Sequence, residues 1–500
     1  MIDIGANFVS ELYKSLGMFI PETVLVVTFV VAIIMDLIFR KYKNIAAFTV
    51  LAGFFVTGYT LFACNSSGYA FSQTIAINPF SQFFKFIILL TSIIIVIISF
   101  LSKELYAENR KVGEYYSMIA GMTFGMFLIC SSTNLILIYL ALETMSLSSY
   151  VLAGYTKEVK RSSEASLKYV IFGAISSGIM IYGISIIFGL TGSFDLLAIN
   201  AKIATGNLSI APLLVSGIMI LAGIGYKISA APFHFWTPDV YEGAPITITA
   251  YLSVASKAAG FAVLIRFVLL AFATPISQTQ PVWQVFAGID WKLVLAILSV
   301  LTMTLGNLSA IWQTNIKRLL AYSSIAHAGY MLMGLVIMTS AGVLAILVYF
   351  FMYMLMNLGA FYIVMLIANK TGSEEMDDYI GIGYRAPILA GCMVVFLLSL
   401  TGIPPTAGFI GKLYLFMAVI DARWIWLAVI GVLNSVVSLF YYVKVMRNMF
   451  IRGTDKTEEP LQFSRVSIVI ALILAGANIY FGLWFEPIVR WVNECVKSLF

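Results

Sequence analysis

Apolar positions along this chain neither alternate nor recur every third or fourth residue; they run on. Blocks of about 20 mainly apolar residues follow one another almost from end to end, separated by short polar loops, which is the pattern of helices that cross a bilayer. The runs predict fourteen spans, at roughly 18–39, 45–64, 83–102, 114–132, 134–155, 164–190, 208–240, 244–269, 292–312, 317–339, 341–368, 386–421, 424–447 and 465–486. Two of them, 208–240 and 386–421, are longer than a single crossing needs and carry prolines and small residues mid-way.

Composition agrees. The chain is 61% hydrophobic and 11% charged, where soluble domains are about half apolar and a quarter charged. Continuous runs exclude a β-barrel, whose strands alternate. The first run is too long for a signal peptide and has no basic leader, so it is expected to be retained. Cys64, Cys130, Cys392 and Cys495 form no C-x-x-C pair, which argues against an Fe–S cluster or a cysteine-rich zinc site. No Gly-rich phosphate loop or dinucleotide fingerprint follows a strand. Nucleotide and redox chemistry, if coupled to this chain, is expected in other chains.

The net charge of +6 reads as topology rather than nucleic-acid binding. Eighteen basic residues fall in alternate loops, among them Arg40, Lys41, Lys103, Arg110, Lys160, Arg161, Lys317, Arg318, Arg385, Arg447 and Lys456; six fall in the opposite set, Lys14, Lys202, Lys292, Arg423, Arg490 and Lys497. The positive-inside rule then puts the richer loops in the cytoplasm and both termini outside.

Six basic residues remain inside spans: Lys85, Lys168, Lys227, Lys257, Arg266 and Lys412. Lys85 and Arg266 lie near helix ends and are expected to snorkel to the interface, and the acids Glu22 and Asp36 also lie near ends. Glu143, Lys227, Lys257 and Lys412 are central, with Lys168 about a turn inside one end. A charge at a helix centre costs roughly 2.5–3.5 kcal/mol on insertion scales. A structural explanation, an ion pair pinning two helices, serves one lysine at a time, because one carboxylate does not neutralise four amines. Burial favours a neutral amine and a nearby carboxylate favours the ammonium. An amine whose carboxylate partner comes and goes therefore changes protonation near neutral pH, as a proton relay requires. His234 and His327 fit the same use; two isolated histidines make a poor metal site, and the alternative for each is a hydrogen-bonded core residue.

The stretch 401–416, TGIPPTAGFIGKLYLF, puts two prolines, three glycines and Lys412 inside an apolar run. Proline removes backbone donors and breaks a helix, and in a bilayer the freed carbonyls need protein or water. KISAAPFHFWTPD, residues 227–239, has the same character. Interrupted spans at corresponding positions predict inverted repeats around a transport site. The expected organisation is three spans in 1–112, five-helix repeats in 113–270 and 290–448, each a proton half-channel, and a last span and tail in 449–500.

Four stretches carry a resemblance: LALETMSLSSYVLAGY, PFHFWTPDVYEGAP, NIKRLLAYSSIAHAGYM and SLTGIPPTAGFIGKLYLF. In this order over about residues 113–450 they resemble the antiporter-like subunits shared by respiratory complex I and Mrp-type cation/proton antiporters. TPDVYEGAP favours the complex I branch over an Mrp-type or membrane-bound hydrogenase subunit, and within complex I an expected lack of a long lateral helix after the last span sets the chain apart from the subunit that carries one. The resemblance implies an all-α polytopic fold of about 14 transmembrane helices, with two inverted five-helix repeats and broken seventh and twelfth helices. It implies a proton relay of Glu143, Lys168, Lys227, Lys257 and Lys412, with His234 and His327 on the same axis. It also implies no cofactor and no metal in this chain: NADH, FMN, Fe–S clusters and quinone belong to partner membrane and peripheral subunits. The setting is then the cell inner membrane.

Overall fold

The computed structural model describes residues 2–63, 67–107, 110–275, 282–286, 290–452 and 459–497, with the backbone alone for 2–8; Cys64 and Lys456 lie outside these. The described chain is helical apart from two short antiparallel hairpins, Gly68–Ala70 with Ile75–Ile77 and Ala273–Pro275 with Trp283–Val285.

The N-terminal part holds α1 (Ile2–Met18), α2 (Ile20–Ile38), α3 (Ile45–Ala63), α4 (Pro79–Ser99) and the short α5 (Lys103–Tyr106). Then come α6 (Gly113–Ser131), α7 (Leu135–Ala153), α8 (Lys160–Thr191), the short α9 (Leu196–Ala204), α10 (Ile210–Ile228), α11 (Trp236–Gly243), α12 (Ile246–Tyr251) and α13 (Lys257–Arg266). A π-turn, Leu252–Ser256, joins α12 to α13, and another, Phe267–Ala271, follows α13. The rest is α14 (Trp291–Ile311), α15 (Ile316–Val336), α16 (Ser340–Thr371), α17 (Ile382–Arg385), α18 (Pro387–Thr401), α19 (Ala407–Asp421), α20 (Ile425–Phe450), α21 (Arg465–Leu483) and α22 (Glu486–Lys497).

Twelve of these passages are long and apolar enough to cross a membrane. Two more complete the expected fourteen. The helix α6 is as long as α7, but its glycines, tyrosines and hydroxyls lower its hydropathy, and it can carry them because it is buried on most sides. The run 386–421 is broken into α18 and α19, as expected from its prolines. The runs missed α1, α9 and α22, which are too short or too polar to span.

Position in the bundle follows composition. Residues 246–271, 316–336 and 340–371 are enclosed on nearly every side, whereas α2, α3, α8 and α21 leave most of their surface outward. Lipid is as apolar as leucine, so helices in a bilayer gain by close contact through small residues. The α14–α15 crossing does this twice: an added Cβ at Gly306 stands 2.6 Å from Ala326 N, and one at Gly329 stands 2.5 Å from Met303 N.

One closure recurs at both ends of the bundle. Asn134 caps α7 by accepting from Ile136 N and Leu137 N, Leu135 N donates to Phe194 O (2.8 Å), and Leu196 N donates to Thr133 O (3.0 Å). Asn315 caps α15 from Lys317 N and Arg318 N, Ile316 N donates to Glu374 O (2.9 Å), and Met376 N donates to Thr314 O (2.8 Å). Each closure follows a helix ending in Thr-Gly-Ser with the glycine at positive φ, Gly192 at 72° and Gly372 at 71°. The first lies beside Gln73 and the second hairpin, the second beside α5 and α11, at the opposite end. This recurrence supports an inverted pair of units.

The crossing yields a stability expectation. Gly306→Val or Gly329→Val drives a side chain into backbone and is expected to destabilise by about 1–3 kcal/mol or more, read as a lower melting temperature of the purified assembly. Gly178→Ala, where an added Cβ meets nothing within 4 Å, is expected to leave it unchanged.

Candidate proton-relay axis

At the first break, α10 ends when Ser229 turns left-handed (φ 60°), and Ala230 N donates back to Gly225 O at 2.8 Å. Trp236 Nε1 donates to Tyr226 O at 3.0 Å, which also accepts from Ser229 N at 3.2 Å, and Thr302 Oγ1 accepts from Ala231 N at 2.9 Å. Protein groups thus meet polar backbone that lipid would leave unsatisfied. Lys227 precedes the turn. It is only 4% exposed, its Nζ has no hydrogen-bond partner among the described residues, and it faces the rings of Tyr150, Tyr169 and Tyr226 at 5.5, 5.6 and 5.2 Å. Glu143, half-buried on α7, acts on Lys227 electrostatically without forming an ion pair.

Lys257 follows the first π-turn and is 0% exposed; its Nζ donates to Ser324 O at 2.6 Å and Ser324 Oγ at 2.9 Å. Gly260, one turn on, faces this end of α10: a Cβ added there would stand 2.6 Å from Ile228 Cγ2 and 3.6 Å from Lys227 Cβ. Ser324 begins a stripe on α15. Residues 324, 327 and 330 share one helix face. His327 Nδ1 meets Tyr349 Oη at 2.6 Å and Nε2 meets Tyr442 Oη at 3.2 Å, while Tyr442 Oη also meets Ser323 Oγ at 2.5 Å. Tyr330 presents its ring to Lys412 Nζ at 4.8 Å.

At the second break Gly402 takes φ 90°, and the Lys412 stem lies where its Cβ would be, at 2.7 Å, so both conformation and contact require glycine here. Lys412, 5% exposed, donates to Thr401 O and Ser435 Oγ, each at 2.7 Å. The break supplies the acceptor that the buried amine needs.

The structure therefore joins Lys257, His327 and Lys412 along α15, and sets Lys227 beside them. It does not bring Lys168 or His234 into that line. The Lys168 side chain is 37% exposed and pairs with Asp239 and Glu164, each at 2.7 Å; Asp239 also meets Arg318 at 2.7 Å, and Arg318 meets Glu242 at 2.9 Å. His234 is buried in the first break against Phe235. The hydroxyls and amides that connect the axis, Ser324, Tyr349, Tyr442 and Ser435 with the Asn307–Asn434 pair behind Tyr330, were not anticipated. Their only trace in the sequence is the stripe spacing in YSSIAHAGY.

Two expectations are corrected. Lys85 and Arg266 do not snorkel. Lys85 is buried and pairs with buried Glu22 at 2.5 Å. Arg266 is buried and donates to Cys130 O at 3.1 Å, Ala76 O at 3.4 Å and Asn78 Oδ1 at 3.0 Å. Both side chains face neighbouring helices that offer acceptors, and snorkelling is the recourse of a side chain that faces lipid.

The profile described as NADH:quinone oxidoreductase/Mrp antiporter, TM, matches residues 132–438, which include both breaks and the axis. The chain belongs to this family. Among family members, NADH-quinone oxidoreductase subunit N 2 of Chloroherpeton thalassium is 44% identical over 99% of this chain and 97% of its own length. A chain of respiratory complex I from Thermus thermophilus superposes with a TM-score of 0.77 at 28% identity, over 94% of this chain and 98% of that one. A chain of the Mrp complex from Dietzia sp. DQ12-45-1b shares the fold, with a TM-score of 0.82 at 18% identity over 96% and 97%.

The Glu22–Lys85 pair gives a further expectation. Removing one partner of a buried pair costs about 3–5 kcal/mol, while replacing both with apolar groups is often neutral. Lys85→Met is expected to lower the melting temperature of the assembly and Glu22→Leu/Lys85→Met to recover most of it.

Proposed function

We propose that this chain is the proton-carrying membrane subunit of an NADH-quinone oxidoreductase, of the subunit N kind. The observation that carries this reading is the line Lys257–Ser324–His327–Lys412 along α15, a helix enclosed by protein at nearly every position. Such amines are costly in hydrocarbon, and here groups that both donate and accept protons lie against them: Ser324 on Lys257, Ser435 on Lys412, and His327 with Tyr349 and Tyr442 between.

Lys227 and Glu143 form the switch. With no carboxylate paired to it, Lys227 stands in the open arrangement; closing on Glu143 holds its proton, and opening releases it toward Lys257. A change of charge in a neighbouring subunit at Glu143 drives the exchange. Moving one charge against 100 mV takes about 2.3 kcal/mol, within what making or losing one buried ion-pair contact supplies. Uptake is from the cytoplasm near Lys227 and Lys257, and release is at Lys412. The basic clusters at one end of the bundle support a cytoplasmic assignment for that end, both termini outside and a place in the inner membrane. NADH oxidation and quinone reduction, with FMN and Fe–S clusters, belong to partner subunits. Lys168 and His234 serve at the margins of the relay, and residues 113–270 and 290–448 act as its two half-channels.

The test is proton pumping and quinone reduction measured together in vesicles holding the assembled complex. Lys412→Met, Lys227→Ala and Glu143→Ala are each expected to cut pumping roughly tenfold or more with assembly intact. Unchanged pumping in Lys227→Ala or Glu143→Ala removes the switch, and unchanged pumping in Lys412→Met removes the axis.

A further inference from the structure

A chamber of about 610 Å³ opens at the end of the bundle that holds α5 and α11, lined by Glu104, Glu242, Lys317, Asn369 and Glu374 among others. Lys317 is buried in its wall, donating to Glu374 at 2.8 Å and to Ala244 O at 2.9 Å. Glu104 accepts from Ile246 N, the first residue of α12, at 3.4 Å. Burial pushes its carboxyl above the usual carboxylate range, and Lys317 pulls the other way.

From this point hydroxyls continue inward along α12. Tyr115 Oη meets Thr247 Oγ1 at 2.8 Å and Ser99 Oγ at 2.9 Å. One turn deeper, Tyr251 Oη meets Ser92 Oγ at 2.8 Å and Thr123 Oγ1 at 2.7 Å. Deeper again, Asn357 Nδ2 donates to Ser253 Oγ at 2.5 Å, while Asn357 Oδ1 and Ser256 Oγ, both buried, have no hydrogen-bond partner among the described residues. Ser256 immediately precedes Lys257. A regular helix would rotate this row off the axis. The step of four from Thr247 to Tyr251, followed by a step of five to Ser256 across the π-turn Leu252–Ser256, keeps the three on one face.

We propose that this chamber is the port through which protons reach Lys257, with Glu104 as the collecting carboxylate and Tyr115, Thr247 and Tyr251 as the steps between. Each hydroxyl takes a proton on its oxygen from one side and gives up its own on the other; the last transfer makes the ammonium of Lys257, and no electrons move. Thr247 and Tyr251 are one helical turn apart along α12, and Ser256, next to Lys257, continues the row; bridging waters would carry protons between the rungs. The inference rests on the relay reading above, and supplies its uptake route.

The experiment is proton pumping per assembled complex in vesicles for Tyr115→Phe, Thr247→Val and Tyr251→Phe, beside Lys257→Met and a neighbouring control, Tyr116→Phe, whose hydroxyl meets Tyr106 instead. Each rung variant is expected to slow pumping roughly tenfold, Thr247→Ser to recover the rate lost in Thr247→Val, and Tyr116→Phe to pump like the parent. Parental pumping in all three rung variants with slow pumping in Lys257→Met overturns the port and leaves the relay standing. Parental pumping in Lys257→Met overturns the relay, and the port with it. Rung variants that assemble poorly but pump normally per assembled complex assign the hydroxyls to packing and overturn the port equally.

Discussion

An amine enclosed in a membrane protein has two tolerable states: neutral, or charged with oxygen atoms fixed around it. The structure turns on where those oxygens come from. A continuous helix has few to spare, because its carbonyls are engaged in its own ladder, although Ser324 O, within α15, does accept from Lys257. Breaking the helix frees them. Thr401 O at the second break takes Lys412, and Tyr226 O at the first takes Trp236. Break and amine therefore suit each other: at the second break Thr401 O accepts from both Lys412 Nζ and Ser435 Oγ, so the freed carbonyl and the buried amine share one polar cluster.

The amines are not held alike, and the difference sets their roles. Lys257 and Lys412 each donate two short hydrogen bonds to fixed oxygens. Lys227 has none; three tyrosine rings face it instead. Ring quadrupoles attract a cation without fixing the direction of its N–H bonds, so this ammonium exchanges partners more freely than the other two. It is also the amine that Glu143 reaches electrostatically. The loosest amine is thus the one that a carboxylate acts on, and the two tightly held ones have no such carboxylate near them among the described residues.

Much of this was legible in the chain. Spans, the two breaks and the central lysines could be read because each rests on local chemistry: run length, proline, or a charge without a polar neighbour. What escaped reading depends on helices far apart in sequence. Lys85 looked like a snorkelling end residue because its partner Glu22 lies on another helix. That Lys168 pairs with Asp239, on a helix far along the chain, was equally hidden from the sequence. The hydroxyl contacts of His327 come from Tyr349 and Tyr442, on two different helices, and no spacing rule joins them. The repeated closure was visible only as an asparagine and a distant Thr-Gly-Ser, too short a pattern to weigh without the hydrogen bonds it makes.

Where the axis runs also constrains how transport proceeds. Carriers that work by alternating access rock one unit against another around a central site, which requires an interface able to slide. Here α15, which carries the axis, meets α14 at glycines where backbone touches backbone, and close-packed interiors resist graded deformation. Buried side-chain bonds tie the same region further: Asn307 on α14 to Tyr330 on α15 and Asn434 on α20, and Lys257 to Ser324. A helix clamped in this way does not rock at low cost. What remains free to change is side-chain partnership and protonation. Such movement of charge suits H⁺, which passes between fixed groups, better than a hydrated metal cation, which would need the helices to part.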